Sequence, residues 1–244
     1  MCGAFSFRTR DDALKELYPW LELDERLPES FNIRPKQPAP VVPNEPLEVP
    51  GPDGEPIPVP DSPTRKPARV AQFGFDVSFG SGLVINTRDD TLLSGKGYWQ
   101  KFRNNRCLIL ADGFYEWQLQ EDGKSKQPFY FQVDGGRTFA FAGLYRFDKG
   151  EDGSKLYMSI LTTEATSFVA KIHNTKKRMP VILHAGQELD WISPDKMSLE
   201  EIGSFLGKYP EKQMDAHPVS SKVGSPKNDG PDLIVPIEDQ KKLI

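Results

Sequence analysis

The sequence predicts an α+β domain built on a bent, largely antiparallel, barrel-like β-sheet with peripheral helices. Short runs rich in β-branched and aromatic residues fill the middle of the 244-residue chain, and the helical periodicities lie outside them. At 37% hydrophobic and 11% aromatic the chain can bury a sizeable core, and a single domain over 1–244 is the expected organisation.

In chain order, "DDALKELYPWL" predicts a first helix. Residues 35–67 then hold 12 of the 22 prolines. Proline lacks an amide donor and breaks helices, so this stretch is expected to give an excursion of short edge strands or extended loop, with "PDG" turning at its tip. "VAQFGF", "GLVIN", "CLILADGFYEW", "PFYFQV", "TFAFAGLY", "LYMSILTT" and "MPVILH" read as strands. Helices are expected at "EATSFVAKIH", capped by Thr162 and Thr163, and at "SLEEIGSFLG".

Composition narrows the function classes. A formal charge of −4 argues against a broad basic surface, so nucleic acid would have to bind in a local groove near "YWQKFRNNR" or "NTKKRMP". Cys2 and Cys107 are too few for a disulfide framework, and Cys107 in the apolar "RCLILAD" reads as a buried thiol; a reducing cytoplasm fits. "RTRDD" follows the first residues at once, so no signal segment is expected, and no run is long enough to span a bilayer. Zinc-ligand spacing, a P-loop, a dinucleotide glycine motif and a G-x-S-x-G elbow are missing, so neither metal nor cofactor is expected.

The candidate chemistry begins at "MCGAF". Removal of Met1, which a small second residue favours, would leave Cys2 with a thiol and a free α-amine on adjacent carbons. Along "LADGFYEWQ" the period-2 alternation puts Phe114 and Glu116 on one face and Tyr115 and Trp117 on the other. A carboxyl buried among those aromatics would have its pKa raised toward neutrality, which suits proton transfer in either direction; an exposed or salt-bridged strand residue is the alternative. In "VINTRDD", Asn86 and Arg88 share a strand face, where an amide and a guanidinium suit a carbonyl-like oxygen and a phosphate. His173 ends an amphipathic helix, whose dipole favours imidazolium while the following "KKR" opposes it. His217, in a long loop, is left open between site and scaffold, and His184 reads as incidental.

Taken in order, "MCG", "FNIRP", "INTR", "ADGFYEW", "IHNTKKRMPVIL" and "HPVSSKVGSPKNDGPDLI" resemble the SRAP family, the SOS-response-associated peptidase domain. The resemblance spans almost the whole chain. It implies a protein that recognises abasic sites in single-stranded DNA and captures them covalently, acting as a monomer with no membrane partner. The family's catalytic positions carry over to Cys2, Asn86, Glu116 and His173, and Arg88 matches an arginine that contacts DNA. Arg34, Phe73 and Arg178 are expected to join that DNA contact. Two departures stand out: Ala4 replaces a phosphate-contacting arginine, and "FGFDVSFGSG" stands where relatives carry a tryptophan-rich "WGLIPxW", leaving Phe73, Phe75 and Phe79 as substitutes.

On this reading the aminothiol converts the aldehyde of a ring-opened sugar to an imine and then to a five-membered thiazolidine. Glu116 moves protons, Asn86 orients the cysteine or a sugar oxygen, and His173 assists elimination. A cysteine hydrolase that processes itself or transfers amides would use the same residues on a different substrate. A noncatalytic DNA-binding module would not depend on Cys2.

Overall fold

Strand Gly153–Glu164 pairs antiparallel with Phe139–Gly150, which pairs with Arg106–Ala111. That strand pairs with Pro38–Pro43, and Pro38–Pro43 with Arg69–Phe73. Parallel pairing of Tyr157 with Gln72 and of Met158 with Phe73 then closes the five strands into a barrel. Closure removes the free edges that an open sheet would expose. The computed structural model describes residues 2–23, 25–44, 48–50, 56–58, 66–78, 82–150 and 153–237. All six residues of Arg106–Ala111 are buried, which explains why "RCLILA" reads as an unbroken apolar run instead of an alternation.

A second, antiparallel sheet runs in the order Met214–Pro218, Lys126–Val133, Gly113–Leu119, Phe5–Phe7, Ser30–Ile33. The chain passes from barrel to sheet through Asp112 alone, between Arg106–Ala111 and Gly113–Leu119. Glycine is required just after this joint: a Cβ on Gly113 would sit 2.3 Å from the Tyr130 ring. The space it leaves lets Tyr130 share a 2.8 Å hydrogen bond with Ser6, fixing the N-terminal strand against its neighbours. Asp112 accepts from the Arg8 amide and from the hydroxyls of Thr9 and Thr138 at the other end of that strand. Strand Phe5–Phe7, which follows residue 2, is therefore fixed in its middle and just past its end.

The predicted fold class stands, with two local differences. Pro38–Pro43 is an integral barrel strand where an edge was expected. Its prolines remain compatible with that place because Pro38 and Pro40 pair only with Arg69–Phe73, Pro43 pairs only with Arg106–Ala111, and Val41 alone pairs on both sides. Glu48–Pro50 and Pro56–Pro58 form a short antiparallel pair, in keeping with the short strands expected of this stretch, and the expected "PDG" turn lies outside the described residues. Thr162 and Thr163 belong to strand Gly153–Glu164, and the cap of helix Ser167–Ile172 is Thr166, whose side chain accepts from the Val169 amide. Helix Leu199–Phe205 starts with a full capping box between Ser198 and Glu201. Among the described residues, no helix is long and apolar enough to cross a membrane.

Candidate active site

Four buried polar residues meet where the barrel and the second sheet join. Cys2, fully buried, precedes strand Phe5–Phe7, and its carbonyl accepts a 3.0 Å hydrogen bond from Asn86 Nδ2. Asn86 opens strand Asn86–Arg88, held on the barrel by parallel pairing with Ile160 to Thr162. Among the described residues its Oδ1 is buried without a hydrogen-bond partner, an acceptor left open beside the cysteine. Glu116 lies in mid-strand, opposite Phe129, on the Phe114 face that points into the main core. Tyr115 lies in a separate apolar cluster with Trp117 packed against it, as the alternation requires.

His173 ends helix Ser167–Ile172, and its Nε2 stands 3.7 Å from Glu116 Oε2. Its Nδ1 is 2.7 Å from the Arg178 carbonyl. A carbonyl only accepts, so Nδ1 carries the hydrogen and the Nε2 lone pair faces Glu116. Burial lowers the imidazole pKa, with Lys176 and Lys126 adding to the effect and the Arg178 carbonyl opposing it. Near neutral pH the neutral imidazole is thus favoured, in the sense of the basic run that follows it and against the pull of the helix dipole.

Burial pushes the Glu116 carboxyl up from 4.5 to about 7. Near neutral pH it is present in both protonation states, as a proton shuttle requires. The Cys2 thiol is pushed well above its ordinary value by burial and then by the Glu116 charge, and Arg34 opposes this. A thiol in that setting is a poor nucleophile until its proton has a destination.

The raised Glu116 pKa has a consequence for stability. Because the folded state holds this proton more tightly, the stability it contributes is full below about pH 4.5 and is lost as pH rises through about 7. Replacing Glu116 by Gln removes that dependence. The variant is expected to gain stability relative to wild type between pH 5 and pH 8 in calorimetric melts. Parallel melting curves across that range would show that Glu116 is not the group being desolvated.

The expected DNA contacts separate. Arg88 is exposed at the start of helix Asp89–Leu93, with its guanidinium paired to Asp90. Arg34 is half-buried over the Trp117 ring, 5.4 Å from its centroid. Phe73 is fully buried and edge-on to Phe5, so its ring offers no face to a base; Phe75 is likewise buried, and Phe79 lies outside the described residues. Arg178 is also turned inward: its guanidinium bonds Thr162 and pairs with Asp89 at 2.6 Å, and only its carbonyl reaches the site, through His173. Asp89 escaped the sequence reading, although an acidic pair directly after Arg88 in "NTRDD" is the signal that marks it. His217 bonds the Ile234 carbonyl and lies beside Tyr130, and His184 stacks on Tyr209; both are scaffold. Cys107 is buried, as its apolar context implies.

The chain is similar to known proteins over most of its length. The chain is 32% identical over 245 residues to the abasic site processing protein YoqW of Bacillus subtilis, covering 96% of this chain and 99% of that protein. It is 31% identical to abasic site processing protein YedK of Escherichia coli, over 63% of this chain and 68% of that one. A crystal structure of a protein from Bacteroides thetaiotaomicron shares the fold with a TM-score of 0.73 at 22% identity, covering 96% of this chain and 99% of the other. The sequence profile of SOS response associated peptidase (SRAP) matches residues 1–226, and the chain belongs to that family.

Proposed function

We propose that this protein processes abasic sites in DNA, and that its mature form, starting at Cys2 after loss of Met1, captures the ring-opened sugar in single-stranded DNA as a thiazolidine. The observation that carries the reading is the meeting of Cys2 and Asn86 with a carboxyl of pKa about 7 that faces a neutral imidazole. The names of the relatives, abasic site processing proteins, support the substrate.

The chemistry balances around Glu116. The α-amine, with a reference pKa of about 7.7–8.0, is partly neutral at pH 7 and adds to the aldehyde carbon. Protonated Glu116 gives its proton to the resulting hydroxyl, which leaves as water, and a C=N iminium forms. The carboxylate then takes the thiol proton, sulfur bonds to the iminium carbon, and the C=N electron pair returns to nitrogen. One water is lost and Glu116 ends as it began. Asn86 holds the Cys2 carbonyl, with Oδ1 free to accept from the amine or from a sugar hydroxyl. His173 Nε2, a base, takes part in the elimination that an imine permits. Arg88 binds a flanking phosphate in place of Asp90.

The hydrolase alternative, in which sulfur attacks an amide, makes the same demand on the thiol proton and differs in needing no aldehyde. Incubation of the mature protein with a single-stranded oligonucleotide bearing one abasic site is expected to give an adduct that survives denaturing electrophoresis. A borohydride-reduced site, which has no aldehyde, is expected to give none. Equal adduct from both substrates, or none from either, would reject the aldehyde capture.

A further inference from the structure

We propose that Arg34 is a positioning residue for the Cys2 thiol: its guanidinium is a fixed, unneutralised positive charge that stabilises the thiolate as sulfur closes the ring. In its purpose this rests on the reading above.

The strand register brings the two residues together. Phe5 pairs antiparallel with Ile33, so the chain that follows Ile33 runs back alongside the segment leading to Cys2. Arg34 is locked there at both ends. Its amide donates to Gln37 Oε1 at 2.7 Å and its carbonyl accepts from the Gln37 amide at 3.0 Å, while the guanidinium lies over Trp117. Stacking on an indole fixes a guanidinium without neutralising it.

The lack of a counter-charge separates Arg34 from three other arginines of the fold, while Arg106, which also has a buried Nη1 without an acceptor and no carboxylate partner among the described residues, places its other guanidinium nitrogens on the carbonyls of Trp191, Ser193 and Asp195. Arg8 pairs with Asp112, Arg88 with Asp90 and Arg178 with Asp89. Among the described residues Arg34 has no carboxylate partner, and its Nη1 is buried with no hydrogen-bond acceptor. A buried cation nitrogen without an acceptor is costly unless an anion arrives during function. The anion that the site itself generates is the Cys2 thiolate. Burial dominates both groups, raising the thiol pKa and lowering that of Arg34; against it, Arg34 pulls the thiol pKa down and the thiolate pulls that of Arg34 up. The groups facing Cys2 are then the Glu116 carboxyl, which disfavours thiolate, and the amino terminus of the chain and Arg34, which favour it. His173 stands behind Glu116. Half-buried, such a charge is screened less than one at the open surface.

The test reads the thiol directly, without DNA. Mature wild type, Arg34→Gln and Arg34→Lys are treated with iodoacetamide from pH 6 to 10, and alkylation of the Cys2 peptide is followed by mass. Arg34→Gln is expected to raise the midpoint of the pH–rate curve by about one unit and to slow alkylation at pH 7 by about tenfold, while Arg34→Lys keeps most of the wild-type rate. An unchanged midpoint in Arg34→Gln, with melting temperature preserved, would overturn the proposal, as would Arg34→Lys falling as far as Arg34→Gln. Loss of affinity for single-stranded DNA with unaltered alkylation would also overturn it and make Arg34 a phosphate contact. A shifted midpoint in a protein that forms no abasic adduct would leave the role of Arg34 standing while removing the proposed function.

Discussion

Cys2→Ala is expected to abolish the heat-stable adduct with abasic single-stranded DNA while leaving a reversible imine that borohydride can trap. The α-amine of residue 2 survives this substitution, so the first addition to the aldehyde is retained. Ring closure is lost because no sulfur is present. The expected drop in stable adduct is on the order of 10³-fold or more, the scale seen when a covalent nucleophile is deleted. Borohydride trapping separates this outcome from misfolding, since an unfolded chain would also lose the imine. Cys2 is fully buried at the start of the N-terminal strand, and alanine there removes one sulfur atom and leaves the backbone bond from Asn86 intact. A Cys2→Ala protein that forms stable adduct at the wild-type rate would place the chemistry on another residue.

Glu116→Gln is the second large effect. The amide keeps the shape of the side chain between the core and His173 but neither gives nor takes the required proton. Adduct formation is expected to slow by about 10²-fold or more, with little change in affinity for the oligonucleotide. The wild-type rate should also bend near pH 7, where burial sets the Glu116 pKa, and the bend should vanish in the variant. Single-turnover rates from pH 5 to 9 check both. A wild-type rate in the variant would make Glu116 structural.

The parts of this account differ in how legible they were in the sequence. The alternation in "GFYEW" correctly separated Glu116 from Trp117, because a strand imposes a period of two whatever it packs against. The barrel strand "PAPVVP" was misjudged as edge or loop, because its neighbours switch sides along its length and proline statistics carry no information about that. Phe73 and Arg178 were assigned outward for related reasons. An aromatic in a β-run and an arginine in a basic run look alike in sequence whether they face solvent or the core. The structure decides through partners far along the chain: Phe5 for Phe73, and Asp89 and Thr162 for Arg178. His173 was visible as a helix-end histidine, but its protonation was not, since the Arg178 carbonyl that sets its tautomer is a backbone group with no sequence signature.

The central claim is that both nucleophiles of residue 2 enter one ring, and the intact mass of the adduct tests it most directly. Mature protein beginning at Cys2 is expected to gain the mass of the abasic oligonucleotide less one water. The same protein with Met1 retained keeps the Cys2 thiol but holds its nitrogen in a peptide bond, and is expected to show no stable adduct. A stable adduct of the Met1-retaining protein would contradict the thiazolidine.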